Sequence, residues 1–362
     1  MKKNHKYKIA IIGAGNGGQA MAGHLALMGH SIILYNRNIE KIGRIQENKG
    51  IYLTGVIEGF GPINKTTDKL SEAISESEII MIVTTADAHA QIAHEIIPYL
   101  QNEQIIVLNP GRTGGALEMR KIFNDEGLSR KVYIAECQSL VYACRQEIPG
   151  TVRIIGVKDR VYYATFPNRD IALICGKLES IYKCFIPVEN ILVTSLENIG
   201  AIFHPTIVIF NASRIERSEE FYFYNDITPA VCSILENVDK ERLMIGEAFG
   251  LKLLSAEEWI SYAYKGIAGK DLLSKMMYNP AYYKILGPKK LNSRMLLEDI
   301  PTGIFPMIEL GKLAELELPL MNAILNLAEG LLGINLRLKG RNLERLGLNG
   351  LTKSQIINLV ND

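Results

Sequence analysis

Chemistry first becomes legible in this sequence at Gly13-Ala14-Gly15-Asn16-Gly17-Gly18. A GxGxxG pattern binds a dinucleotide when it closes a strand and opens a helix. The first glycine makes the tight turn, the second lets backbone approach a pyrophosphate, and the third lets the helix pack close to the sheet. Free N–H groups and the positive end of the helix dipole then face the phosphates. That context is met, because 7–12 is a short apolar run and 16–28 carries small and apolar residues at helical spacing. An acid for the ribose 2′-hydroxyl of NAD is expected about twenty residues further on, but Tyr35-Asn36-Arg37 stands there. Asn36 removes the carboxylate that would repel a 2′-phosphate, and Arg37 offers a guanidinium to pair with it or stack on adenine, which favours NADP over NAD. A solvated surface arginine is the plainer alternative for Arg37.

Two more polar segments, Val83-Thr84-Thr85-Ala86-Asp87 and Asn109-Pro110-Gly111-Arg112-Thr113-Gly114-Gly115, follow the fourth and fifth predicted strands. Open α/β sheets bind ligands at such carboxyl ends. Thr84, Thr85, Asn109, Gly111 and Thr113 are therefore candidates for the nicotinamide side of the crevice, although Asp87 and Thr113 read equally well as helix N-caps. In the second half His204 lies in Ile202-Phe203-His204-Pro205-Thr206, and two carboxylates, Glu298 and Asp299, precede an Ile-Pro turn in the segment that begins at Arg294. Taken singly, the histidine reads as a hydrogen-bonded packing residue and the acidic segment as a surface loop with a helix cap.

The elements that must position these residues change character along the chain. Runs at 7–12, 31–35, 78–83 and 104–108 alternate with helical patterns, which predicts a mostly parallel sheet with helices on both faces, an α/β Rossmann-like doubly wound fold. From 131 to 192 the runs shorten and gain β-branched residues (132–134, 151–157, 160–166), which reads as further strands extending that sheet. Beyond about 193 long amphipathic stretches take over, at 228–250, 255–263, 304–316 and 320–332. The expected division is a dinucleotide-binding domain over 1–193 and an all-helical substrate and catalytic domain over 194–362.

Forty basic residues against thirty-nine acidic ones leave a formal charge of +1, too little field to attract nucleic acid or an anionic membrane. The basic start, Met1-Lys2-Lys3-Asn4-His5-Lys6, is followed by too short an apolar run for a signal peptide. No stretch approaches about 18 uninterrupted apolar residues, so the chain reads as cytoplasmic. Its five cysteines, widely spaced and without a CxxC pair, read as reduced, mostly buried thiols. No histidine, cysteine and carboxylate spacing suggests a metal site, and the apolar helices after 304 could supply a homodimer face.

Together the segments GAGNGGQAMAGHLALMGH, VTTADAHA, LNPGRTGGALE, ECQSLVYACR, FHPT, FYFYNDITPAV and RMLLEDIPTG with PMIELG resemble the opine dehydrogenases of the octopine/nopaline dehydrogenase type. The resemblance spans nearly the whole chain, and LNPGRTGGALE and EDIPTG are far more specific than the glycine fingerprint. It implies a Rossmann domain joined to a helical domain, an active site between them, and a catalytic His–Asp pair falling on His204 and Asp299. It also implies that Arg294 binds a substrate carboxylate, with Arg145 as a second candidate. Members reduce the imine formed between an α-keto acid and the amino group of an amino acid. Met295, Asn292 and Ser293 depart from the family's pattern around this arginine, which points to a different substrate pocket. Two other readings compete. A ketopantoate reductase-like or other hydroxy-acid or polyol-phosphate dehydrogenase would use a lysine such as Lys265, and a non-catalytic dinucleotide sensor would keep the fold without the chemistry.

Overall fold

A computed structural model describes residues 5–362; Met1-Lys2-Lys3-Asn4 of the basic start lie outside the described residues. The chain forms two compact units, one running to Gly111 and from Gly115 to Ile191, the other made of Arg112–Gly114 and Leu192–Asp362. The sequence places the division at 193, whereas the chain parts at Ile191 and additionally lends three residues, Arg112–Gly114, to the helical unit.

In the first unit β1 (Lys8–Ile12), β2 (Ser31–Tyr35), β5 (Lys65–Thr67), β6 (Ile79–Ile82), β7 (Ile105–Leu108), β8 (Tyr133–Cys137), β11 (Val161–Thr165) and β12 (Phe185–Pro187) form one sheet. Their order is β12-β11-β8-β7-β6-β1-β2-β5. All neighbours are parallel except β8 and β11. The central strands β1, β6 and β7 are buried on both faces from Ile9, Ile79 and Ile105 onward, as a sheet covered by helices on both sides requires. The helices of this unit are α1 (Asn16–Leu27), α2 (Glu40–Asn48), α3 (Leu70–Ile74), α4 (His89–Ile96), α5 (Gly115–Asp125) and α6 (Ile171–Ile181).

The run at 151–157 does not extend that sheet. It forms β10 (Thr151–Val157), which joins β3 (Gly50–Gly55), β4 (Gly59–Pro62) and β9 (Tyr142–Ile148) in a separate sheet of order β4-β3-β10-β9. The cause is local. A Pro149-Gly150 turn with Gly150 at φ +81° folds β10 back antiparallel on β9, and Val152 and Ile154 alternate inward, joining Ile51 and Leu53 in the core that also buries α1. Close approach is possible because α1 carries Gly23, where a Cβ would stand 2.9 Å from Leu53 Cδ2.

The second unit is helical. It comprises the end of α7 (Ile191–Leu196), α8 (Ile199–Phe210), α9 (Ala212–Glu216), α10 (Pro229–Ala248), α11 (Ala256–Ala263), α12 (Leu272–Tyr278), α13 (Arg294–Leu297), α14 (Phe305–Leu313), α15 (Pro319–Leu332) and α16 (Lys353–Asn361). The stretch Ile191–Phe210 is long and apolar enough to cross a membrane by length and composition, but 89% of its apolar window is buried inside the protein. It is a core element here. Its neighbours include α10, α13 and α15.

Candidate active site

The glycine turn closes β1 and opens α1 as its residue types require. Gly13 adopts φ +109°, and a Cβ there would stand 2.7 Å from the Val83 carbonyl oxygen. A Cβ on Gly18 would lie 1.8 Å from the Gly13 carbonyl, so strand and helix could not meet with any side chain at that position. Gly15 differs, because nothing lies within 4 Å of where its Cβ would be. It leaves backbone bare and open at the amino end of α1, where N–H groups without helical partners point outward. Asn16 and Gly17 brace this turn from β9 and its approach. The Asn16 side chain accepts from the Gln146 N–H at 3.0 Å, and Leu140 sits against Gly17.

Asn36, after β2, is tied to the same turn, accepting from the Ala14 N–H at 3.2 Å, while Arg37 beside it is exposed. After β6, Thr84 packs its methyl against Gly13, and its buried hydroxyl meets no partner. Thr85 is exposed. Asp87 is not an N-cap, since it lies inside the short turn Ala86–Ala88 that follows Thr85. After β7, Asn109 is buried and donates to the Val107 carbonyl at 3.0 Å, while its side-chain oxygen is unpartnered. Gly111 allows the chain to pass Glu136, whose Cβ would be 2.6 Å from an added Cβ. A bare open backbone at a helix amino end, flanked by unsatisfied polar atoms on two strand ends, suits a dinucleotide phosphate and its neighbouring polar groups.

Thr113 needs a correction. Expected to line the cofactor crevice or cap a helix, it is instead buried within the helical unit. Its hydroxyl donates to the Ser195 carbonyl at 3.0 Å, its N–H to the Thr302 carbonyl at 3.0 Å, and Arg341 bonds its carbonyl at 3.1 Å. The next residue, Gly114, donates its N–H to the Ser195 hydroxyl. These bonds hold Arg112–Gly114 among the helices and fix the residue that begins the segment.

That residue, Arg112, forms the centre of a buried charged cluster. Its Nε donates to Glu298 Oε1 at 3.2 Å, one Nη to Asn198 Oδ1 at 3.2 Å, and the other lies 3.2 Å from Asp299 Oδ1, off the hydrogen-bonding direction. Asp299, 0% exposed, accepts with its other oxygen at 2.8 Å from His204 Nδ1. His204 Nε2 stands 3.2 Å from the hydroxyl of Tyr224, and that ring stacks on Tyr282 at 4.1 Å. With a carboxylate on Nδ1, that nitrogen carries the proton in the neutral ring, which leaves Nε2 as the acceptor nitrogen beside Tyr224. Burial pushes the Asp299 carboxyl up, but Arg112 first and then His204 outweigh it and hold it below the ordinary carboxylate range. Burial likewise opposes the charge on Arg112, and the two carboxylates more than restore it.

Local sequence explains this convergence. Pro301 has no N–H to continue the helix, and the turn over Ile300–Ile304 widens so that the Ile304 N–H reaches back to the Asp299 carbonyl. Gly303 lets that turn lie on α8, since a Cβ there would be 2.5 Å from Ala201 Cβ. His204 projects from α8 one residue before Pro205.

The sequence-level pair His204–Asp299 thus meets directly, whereas the arginines are placed separately. Arg294 heads α13, with 54% of its side chain exposed and one Nη 3.5 Å from Glu298. Arg145 is exposed on β9 of the first unit, where it pairs across the strands with Arg153 of β10. Lys265 is exposed in the turn after α11. Arg112, Tyr224 and Asn198 escape a reading of the sequence. The available signal was a charged side chain inside an otherwise small and neutral turn, Asn109 to Gly115. All five cysteines are free, Cys137 and Cys232 buried and the others partly exposed. Among the described residues no group of metal-ligating side chains gathers.

Residues 187–332 match the family described as NAD/NADP octopine/nopaline dehydrogenase, alpha-helical domain, and residues 8–108 match NADP oxidoreductase coenzyme F420-dependent. The chain is 38% identical over 349 residues to the opine dehydrogenase of Arthrobacter sp. strain 1C, covering 96% of this chain and 97% of that one. It is 24% identical over 372 residues to the vitopine synthase of Allorhizobium ampelinum, covering 98% and 99%. The structure of octopine dehydrogenase in complex with NADH and agmatine shares the fold, with a TM-score of 0.79 at 19% identity over 97% of this chain and 98% of that one.

Proposed function

The chain belongs to the opine dehydrogenase family, and from that premise we propose that it joins an α-keto acid to the amino group of an amino acid by reducing their imine, with His204 exchanging the proton. The observation that carries this reading is the 2.8 Å bond from His204 Nδ1 to Asp299. It fixes the tautomer and steadies the imidazolium, so that one nitrogen is committed and the other can give or take a proton.

The reaction balances as keto acid, amino acid, NAD(P)H and one proton giving a secondary-amine dicarboxylate, NAD(P)⁺ and water. The dinucleotide, when bound, would supply the hydride for the imine carbon. The electron pair of the C=N bond moves to nitrogen, which takes the proton from the imidazolium of His204. Tyr224 keeps the exchanging Nε2 in a hydrogen bond until substrate arrives. Arg294, half exposed beside the pair, pairs with a substrate carboxylate, and Arg145 is the second candidate clamp. In the reverse direction neutral His204 accepts the proton as the secondary amine is oxidised.

The residues that would hold the dinucleotide are Gly13, Gly15, Asn16, Gly17 and Gly18 for the phosphates, Thr84, Thr85, Asn109 and Gly111 beyond them, and Asn36 with Arg37 at the adenosine ribose. Because an amide and a guanidinium stand where an acid would bind the 2′-hydroxyl, NADPH is the preferred donor. The five free thiols support a reducing, cytoplasmic setting.

A matrix of α-keto acids against amino acids, followed by NADPH and then NADH absorbance, tests the reading. Oxidation of NADPH should need both partners. If it runs as fast with the amine omitted, the enzyme reduces a carbonyl and imine reduction is wrong.

A further inference from the structure

We propose that Arg112 is the positioning residue of the His204–Asp299 pair: its fixed charge, 3.2 Å from Asp299 Oδ1, holds the carboxylate so that Oδ2 meets His204 Nδ1, and it acts on the imidazole only through that carboxylate. The inference rests on the reading that His204 exchanges the proton, and it adds a residue from the strand-end loop of the other half of the sequence.

Three independent features carry it. The guanidinium is itself fixed, since two of its nitrogens bond Glu298 Oε1 and Asn198 Oδ1 in the interior, which leaves the third beside Asp299 Oδ1 and no freedom to swing. Backbone conformation points the same way. Arg112 holds φ +60°, a left-handed geometry that a glycine would adopt without strain, yet a large charged side chain occupies it. Finally, α8 makes room for the arrangement at Gly200. A Cβ there would be 2.7 Å from Arg112 Nη1 and 3.3 Å from His204 Cε1, so only a glycine lets guanidinium and imidazole share that face. A buried carboxylate with oxygens of different partners has one orientation. Arg112 on one oxygen leaves the other for the histidine.

Removing the fork should loosen the carboxylate without touching substrate. Arg112→Met is expected to lower kcat by about 10²-fold, the scale of a mispositioned acid–base group, with KM for both substrates and Kd for NADPH within about threefold. The downfield proton resonance of His204 Nδ1–H in the NADPH-loaded full chain should disappear in Arg112→Met. It should persist, with part of the kcat recovered, in Arg112→Lys, which keeps the charge but not the fork. If Arg112→Met does not fold, Arg112→Lys decides alone, with lowered kcat at unchanged KM expected. A rise in KM with kcat intact would make Arg112 a substrate ligand and overturn the proposal. So would an unchanged kcat and resonance with only a lower melting temperature. His204→Asn, run alongside, separates the two readings: if that variant keeps its turnover, the proton-exchange assignment has failed, whatever Arg112 does.

Discussion

His204 has a carboxylate on one nitrogen and a phenol on the other, so replacing it should remove proton exchange while leaving the dinucleotide unit untouched. His204→Asn is expected to lower kcat by about 10²-fold or more with Kd for NADPH unchanged. Steady-state rates with fluorescence titration of the cofactor check this, and near-normal turnover rejects the assignment. Arg37 makes a second single-residue claim. If its guanidinium pairs with a 2′-phosphate, Arg37→Ala should weaken NADPH by about ten- to a hundredfold, the worth of a charge-assisted hydrogen bond, and leave NADH nearly unchanged. Equal losses for both cofactors would make it a general surface charge. Such residues could be nominated from the sequence because their motifs are local or their family resemblance strong. Arg112 was not, because its partner Glu298 lies 186 positions away in sequence. Nothing in a turn of small residues says which charged neighbour will be folded inward, nor that Thr113 will follow it into the helices.

At the scale of elements, the βα alternation and the helical second half could be read from hydrophobic periodicity, because a sheet covered on both faces and a bundle leave strong, different patterns. The four-stranded second sheet could not. Its strands β3 and β4 are short and glycine-bearing, and periodicity alone cannot say that β10 pairs with β3 instead of β11. What sets its place is α1, whose glycines admit both sheets. This predicts opposite behaviour for two glycines of one turn. Gly18→Ala puts a methyl 1.8 Å from the Gly13 carbonyl and should destabilise the dinucleotide unit by about 3 kcal/mol or more, beyond ordinary overpacking. Gly15→Ala meets no atom within 4 Å, so its melting temperature should stay within about 2 °C, no more than the shift that about 1 kcal/mol gives a domain of roughly 150–250 residues. Its Kd for NADPH should nonetheless rise about tenfold or more as the methyl enters the phosphate path. Thermal melts paired with cofactor titration distinguish them. A Gly15→Ala protein that binds NADPH normally would remove the pyrophosphate from that turn.

Over the whole molecule, a formal charge of +1 leaves little self-repulsion near neutral pH, so the pH dependence of stability rests on a few buried groups. None of these could be singled out in the sequence, where burial of an individual acid leaves no pattern. Glu197 is the clearest. It is 1% exposed, accepts from the Leu254 N–H at 2.6 Å with one oxygen, and has no partner for the other. The nearby cation Arg242 bonds Asp239 at 2.8 Å instead. Burial therefore pushes the Glu197 carboxyl up to about 7, against the partial opposition of Arg242. Because the folded value lies above the ordinary 4.5, the stability Glu197 contributes is complete below pH 4.5 and is lost as pH rises through about 7. Asp299 has the opposite sign: its folded value is held below the ordinary 3.8, so its contribution is present above that pH and lost on further acidification. The helical unit should accordingly melt highest in mild acid. A proton bound between 4.5 and about 7 is worth at most about 3 kcal/mol. Glu197→Gln, which reproduces the protonated shape and can still accept from Leu254, should match the parent at pH 5 and melt several degrees higher at pH 8. Calorimetry from pH 5 to 8 measures the difference, and a variant whose melting temperature falls as steeply as the parent's would show that another buried group titrates there.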